Sequence, residues 1–363
     1  MQPIVLGALL ADQHVTLAQL GHAASAELLS MGLAAAVAAA LLPPRQLRAI
    51  SVAASLTLVL GNFCTPLLSG EAVTALRALT GAAGGVLIWV TACMIARSSA
   101  PDRWAGIYLT IQTLAQFVFA TVMTSWIGPI AATTRDFGML ALGAVAAAIV
   151  SLTLPNAFQA LPRSAEGEES THAFVKPPPR AIAALACNFL LLMFIVSIWV
   201  YYDPIAHQAG LSTKISDTAV SVSLAFQVMG GTVATLTSGR LKWYPVFVIC
   251  AIVDFAMVAL LGTRPSALLF LADAAVFGFI WLFILPFLVP MTIEADPSRR
   301  SVVLISGVSL LGCSAGPSVV GMLVSAEDTS GALWLGAACL LISLGIATAL
   351  RFMKARASSE KAI

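Results

Sequence analysis

Residues Glu71–Gly106 read EAVTALRALTGAAGGVLIWVTACMIARSSAPDRWAG, and one cation, Arg77, lies inside an otherwise apolar helical run. An arginine at that depth in a bilayer is costly, so it faces a polar interior, pairs with an acid or marks a substrate path. Gly81, Gly84 and Gly85, with Ala82 and Ala83, follow it and let neighbouring helices approach closely. A short basic turn through Arg97 and Arg103 ends the run.

The rest of the chain has the same apolar character. Over 363 residues, 59% are hydrophobic and 10% charged, with a mean hydropathy of +0.95, which excludes an ordinary soluble domain. Apolar runs of about 20 residues call for helices, because barrel strands alternate over about 10. The fold class expected is an all-α polytopic membrane protein. Net charge is +2, which gives no footprint for nucleic acid. Cys64, Cys93, Cys187, Cys250, Cys313 and Cys339 stand singly in apolar runs and read as small buried hydrophobes. His14, His22, His172 and His207 form no metal-ligand pattern, so neither a metal nor a cofactor is expected. His22 and Glu27 loosely match an acyltransferase spacing, but the accompanying Gly-rich signals are missing, and an enzyme is not expected.

Eleven full spans are predicted: 16–42, 48–68, 72–96, 104–127, 137–154, 181–202, 216–238, 244–262, 266–289, 302–324 and 331–350. Pro3 to Leu10 add a fragment too short to cross about 30 Å of hydrocarbon at about 1.5 Å per residue. Pro155 to Arg180, with three acids and Pro177 to Pro179, reads as a linker. The division expected is a first bundle over 1–154, a linker over 155–180, a second bundle over 181–352 and a tail over 353–363. Of the 19 Lys and Arg, all but Arg77, Arg135, Lys214 and Arg264 fall in alternate loops or the tail. By the positive-inside rule that puts the linker and the C-terminus in the cytoplasm and Asp12 outside.

The halves repeat. Leu20-Gly21 aligns with Ile215-Ser216, Pro101–Arg103 with Pro297–Arg299, and Arg48 with Lys242, all at offsets near 195. A steady offset of that kind points to two homologous six-helix bundles. It also leaves the first helix short by roughly fourteen residues, counted on the same offset, so a first helix lacking its initial half is expected, through a misplaced start or a real loss.

Arg77-x-x-Thr80-Gly81 resembles the R-x-x-Q-G motif on the fourth helix of the major facilitator superfamily, with Thr80 where the family has Gln. Two six-helix repeats joined by a charged linker are also similar to that family, over essentially the whole chain. The family's G-x-L-A-D-R-x-G-R-K turn corresponds to residues 40–48, which keep Arg45 and Arg48 but have Pro44 in place of the Asp. In the family that Asp helps a charge latch hold the outward-open state, and neither Pro44 nor Ser238 in the second copy can replace it. On the eleventh span, Gly312, Gly316 and Pro317 resemble the antiporter motif that the family carries on its fifth helix, where this chain has Gln116, Ala120 and Thr121.

Three acids fall inside spans: Glu27, Asp254 and Asp273. Buried carboxylates are the usual means of coupling proton movement to conformational change. Asp273 is the mate of Arg77 at the 196 offset, and the resemblance places both on cavity-lining helices. They either polarise substrate and exchange partners or tie their own bundles statically. Glu27 is the expected partner of Arg77, and Asp254 reads as structural. Gln112, Gln116, Asn188, Tyr202, Gln227 and Trp281 are candidate cavity residues. Gly81, Gly312, Gly316, Pro317, Arg45 and Arg48 are the candidate conformational set.

The function this implies is a secondary active transporter in a bacterial inner membrane. It would move a small organic solute by alternating access, with protons as the coupling ion and the lipid bilayer as its surroundings, as a monomer. No nucleotide-binding loop is present to supply ATP. The alternative is a transport-inactive membrane sensor or interaction protein.

Overall fold

The structure, a computed structural model, describes residues 2–42, 45–96, 101–125, 131–157, 177–237, 240–297, 300–325 and 328–360. Most of the expected linker, and Pro44, Arg97 and Arg299 among the loop residues, lie outside them. Thirteen α-helices are described, with short 3-10 turns at Thr65–Leu67 and Arg300–Leu304.

The first half comprises α1 (Gln2–Ala11), α2 (Leu17–Leu41), α3 (Leu47–Cys64), α4 (Glu71–Ala96), α5 (Pro101–Ser125) and α6 (Ala132–Ser151). The second comprises α7 (Pro179–Val200), α8 (Tyr202–Gln208), α9 (Thr213–Thr237), α10 (Trp243–Gly262), α11 (Ala267–Ala295), α12 (Ile305–Leu323) and α13 (Ser330–Glu360). Among the described residues, ten helices are long and apolar enough to span a bilayer, and shorter apolar stretches occur at Gln2–Ala11 and Ile111–Met123.

Local signals set several ends. Thr16 and Gln19 form a reciprocal capping box at the start of α2. Pro179 opens α7 at a position where its missing N–H costs nothing. Three boundaries differ from expectation. The seventh span breaks at Tyr201 and restarts as α8, so it is two helices. The tenth span continues through Pro286 and Pro290 as far as Ala295, and α13 continues through most of the expected tail to Glu360.

Apolar side chains lie on all sides of these helices, with Leu33, Phe63, Leu268 and Trp334 more than half exposed. That arrangement suits lipid rather than water as the surrounding solvent. The most enclosed helix is α7, packed between α12 and α13. Its counterpart α1 has Ile4, Val5, Leu6 and Leu9 buried, and packs on α6 and α2.

Equivalent pairs repeat across the halves: α2 packs on α4 as α9 does on α11, and α3 on α6 as α10 does on α13. The repeat extends to single glycines. Gly81 rides directly on the Glu27 carbonyl of α2, and Gly278 rides directly on the Ser223 carbonyl of α9. A side chain at either glycine would push apart two helices that touch backbone to backbone. The two halves are therefore pseudo-symmetric six-helix bundles, the second with its first helix broken.

Candidate functional site

Arg77 is 2% exposed and points into its own bundle. Its Nη2 donates to Asn62 Oδ1 at 2.9 Å and Thr65 Oγ1 at 3.1 Å, both contributed by the end of α3. Nη1 reaches Glu27 Oε1 on α2 at 3.5 Å. The guanidinium lies over the Phe137 ring of α6, 4.9 Å from its centre. Four partners on three helices thus hold the cation, and the acid that neutralises it is the expected one.

Asp273 occupies the mirrored place on α11 and is 1% exposed. Oδ2 accepts the Tyr202 hydroxyl at 2.7 Å, while Oδ1 has no hydrogen-bond partner among the described residues. The Tyr202 ring lies 4.6 Å from Phe270 and 6.3 Å from Phe277. Trp199 and Trp281, 5.5 Å apart, complete the aromatic group. Asp254 on α10 is buried and close enough for the charge of Asp273 to act on it. No ion-pair partner for either carboxyl occurs among the described residues. Arg77 and Asp273 therefore do not meet, each being held by groups of its own bundle.

The other candidates divide by where they point. Asn188 donates to Ser309 Oγ at 2.9 Å and ties α7 to α12. Gln112 is exposed and Gln116 half-buried on α5, which packs across the bundle boundary against α9. On α9, Gln227 is buried, and its amide nitrogen has no hydrogen-bond partner among the described residues. Arg48 Nε donates to the Leu154 carbonyl at 3.1 Å, and Arg45 bridges to Ala157. Both fasten the α2–α3 turn to the end of α6. Gly312 and Gly316 seat α12 on α7, against the Phe189 and Met193 carbonyls, and the Pro317 carbonyl faces α2.

At the end of the molecule where Asp12 lies, the two bundles are joined. Gly21 of α2 leaves no room for a side chain beside Tyr201 and the Pro317 carbonyl. The Tyr201 hydroxyl donates to the Leu17 carbonyl at 3.3 Å. A Cβ on Gly321 of α12 would come within 2.8 Å of the Ala18 carbonyl oxygen, and one on Gly7 of α1 within 2.6 Å of Asp203 Oδ2. Further along α2, Gly32 packs on Leu310 of α12, whereas α4 and α11 make at most marginal contact among the described residues. A cavity of about 910 Å³ opens at the Asp12 end, between the α1–α2 turn of one bundle and α8 and α9 of the other.

Around this seam lies a group of charges. Asp203 and His207 pair at 3.4 Å one turn apart on α8, and Arg135 pairs with Asp136 at 2.7 Å at the start of α6. Asp217 on α9 is within electrostatic range of all four. The hydrogen bond to Asp203 raises the pKa of His207 above the ordinary imidazole value, against the opposing effect of burial. In sequence, Tyr201–His207 looks like the polar outer end of one helix. The signal for the break that turns Asp203 towards α1 is Pro204, which has no N–H for the Val200 carbonyl at the end of α7.

By overall structure the chain superposes on solved transporters. One is a point mutant of the nucleoside transporter NupG, at TM-score 0.70 and 12% identity, covering 97% of this chain and 95% of that one. The fold is that of the major facilitator superfamily. The xylose transporter XylE from E. coli, in a partially occluded inward-open conformation, matches at TM-score 0.70 and 10% identity, over 94% of this chain and 92% of its own. A bacterial homologue of the human lysosomal transporter Spinster, inward-facing and occupied, matches at TM-score 0.65 and 15% identity, over 98% and 93%. By sequence, the chain matches no protein-family model and no curated protein.

Proposed function

We propose that this major facilitator fold works as a secondary active transporter, moving a small organic solute between its two bundles by alternating access. The observation that carries the reading is the seam at the Asp12 end. Two bundles meet there through Gly7, Gly21 and Gly321, contacts that small residues make dense but that no covalent lock among the described residues makes permanent. The solved neighbours, among them a nucleoside transporter and a xylose transporter, support the same reading.

Within it, Arg77 holds the first bundle together and Asp273 is the proton-coupling group. Asp273 combines burial, a free carboxylate oxygen and the absence of a paired cation among the described residues, which leaves an atom on which a proton can sit. Tyr202 holds the other oxygen and links the carboxyl to the broken α7–α8 helix, so proton occupancy at Asp273 bears on α8 and the seam. The expected domain division and a cytoplasmic linker face follow the positive-inside rule, with the Asp12 face outside a bacterial inner membrane and the chain acting as a monomer.

The test is uptake by proteoliposomes under an imposed proton gradient, screened over nucleosides, sugars and other small organic solutes. We expect gradient-dependent flux of one solute class by the full chain and its loss in Asp273→Asn. Solute movement indifferent to the gradient in both would overturn proton coupling, and no movement of any solute would favour the sensor alternative.

A further inference from the structure

A second cavity, of about 440 Å³, lies away from the bundle seam, on the outer flank of the second bundle where the end of α10 and the start of α13 diverge around α8. Its walls are Phe255, Val258, Leu333 and Trp334. Phe255 is 40% and Trp334 75% exposed, and α10 and α13 carry a wider belt of exposed apolar side chains that includes Ile249, Ile252, Leu341 and Ile342. That belt is the surface the fold presents to hydrocarbon, so the cavity opens to lipid along its length and to the Asp12 face at its rim.

Two opposite charges stand at the rim. Arg264, in the turn after α10, is exposed and has no ion pair within 4.0 Å among the described residues. Asp328, before α13, accepts the Ser330 backbone N–H at 2.8 Å and the Ser330 hydroxyl at 2.9 Å, which orient its carboxylate. These bonds hold its pKa below the ordinary carboxylate value, so it stays ionised.

From this geometry we infer that the α10–α13 groove is a binding site for a single phospholipid with a zwitterionic, primary-amine headgroup. An acyl chain lies along the Phe255–Trp334 wall, the phosphate meets Arg264 and the ammonium meets Asp328. An apolar groove with a lone cation would take any anionic lipid. The neighbouring carboxylate changes the selection, because a headgroup with no amine leaves Asp328 facing a phosphate of its own sign. A quaternary amine would satisfy the charge but offers no N–H to the carboxylate. The inference stands apart from the transport reading, since the groove shares neither Asp273 nor the seam glycines.

Gly262 supplies the decisive variant. A Cβ there meets only Leu333 Cδ1, at 3.9 Å, so a larger side chain grows into the groove without disturbing the backbone. Arg264 has φ 55, a left-handed conformation that asparagine tolerates well, so Arg264→Asn removes the cation without adding strain.

The full chain would be purified with phosphatidylethanolamine, phosphatidylcholine or phosphatidylglycerol, and retained lipid counted by native mass spectrometry. The wild type is expected to retain one phosphatidylethanolamine about tenfold more tightly than either other lipid, as loss of one charged hydrogen-bonded contact implies. Gly262→Leu and Arg264→Asn are each expected to lower retention of all three lipids, and Asp328→Asn, which keeps an acceptor oxygen for Ser330, to abolish the preference for phosphatidylethanolamine. Equal retention of phosphatidylethanolamine by the wild type and Arg264→Asn would overturn the proposal, as would preferred retention of phosphatidylglycerol. If Gly262→Leu does not fold, Arg264→Asn still decides the phosphate contact and Asp328→Asn the headgroup assignment; an undiminished preference in Asp328→Asn would overturn that assignment.

Discussion

The Asp12 carboxylate accepts the backbone N–H of Thr133 at 2.9 Å, capping α6 from 121 residues away. Gln208 accepts the backbone N–H of Thr329 at the same distance and the same separation, capping α13. Each capped helix is the last of its bundle, and each cap is supplied from the end of that bundle's first span. Internal duplication explains both: the side chains have diverged from carboxylate to amide, while the N–H to be satisfied has stayed in place. Asp12→Ala and Gln208→Ala should each lower stability by about 1 kcal/mol, measured by thermal unfolding in detergent. An Asp12→Asn variant, which keeps an acceptor oxygen, should recover most of the loss.

Arg77 should prove structural. Removing one member of a buried, hydrogen-bonded ion pair costs about 3–5 kcal/mol because the other is stranded. Arg77→Ala should therefore fold poorly, with Glu27, Asn62 and Thr65 left unmatched. Arg77→Ala combined with Glu27→Ala should be less destabilised than the single effects sum to. Thermal melts of the four species measure the coupling, and strict additivity would separate Glu27 from Arg77.

Gly21 should control the seam. Any side chain there collides with Tyr201 and the Pro317 carbonyl, so Gly21→Leu should prop the Asp12 end open while each bundle stays folded. A cysteine placed at Gln13, in a cysteine-free background, reads this out: maleimide labelling should be faster in the Gly21→Leu protein than in its parent. Unchanged labelling would mean that the seam forms without this contact.

His207 should make the Asp12 end sensitive to pH. Its folded-state pKa is raised, chiefly by the hydrogen bond to Asp203. The stabilisation is therefore complete below the unfolded value of about 6.5 and is lost as pH rises through the higher folded value. Melting temperature should fall across that window, and His207→Gln should flatten the fall. The effect should be small, because the imidazole is 44% exposed.

Much of this was legible in the sequence because lipid imposes a simple code. Long apolar runs and a 195-residue offset suffice for most of the spans and their duplication, and the need to neutralise a buried cation points from Arg77 to Glu27. Asn62, Thr65 and Phe137 as further partners of Arg77 were not readable, since which face of α3 or α6 turns inward depends on packing rather than composition when every face is apolar. The break at Tyr201 did carry a local signal: Pro204 has no N–H for the Val200 carbonyl and its ring crowds that carbonyl, so α7 ends there. What the sequence could not show is the direction α8 then takes, which its packing against α1 and α9 sets. Asp203, His207 and Asp217 looked like solvated ends, although Asp217 comes within electrostatic range of Arg135 and Asp136 of the other half.

The central claim is that the two bundles change partners at their ends. Spin labels at Ser69 and Thr213, exposed residues of opposite bundles at the mouth of the 910 Å³ cavity, measure it most directly by double electron–electron resonance in lipid nanodiscs. Two resolved distances are expected, their proportions shifting with pH, with the longer one dominant in Gly21→Leu and most of the pH response lost in Asp273→Asn, the remainder belonging to His207. A single distance, unchanged by pH and by both substitutions, would contradict it.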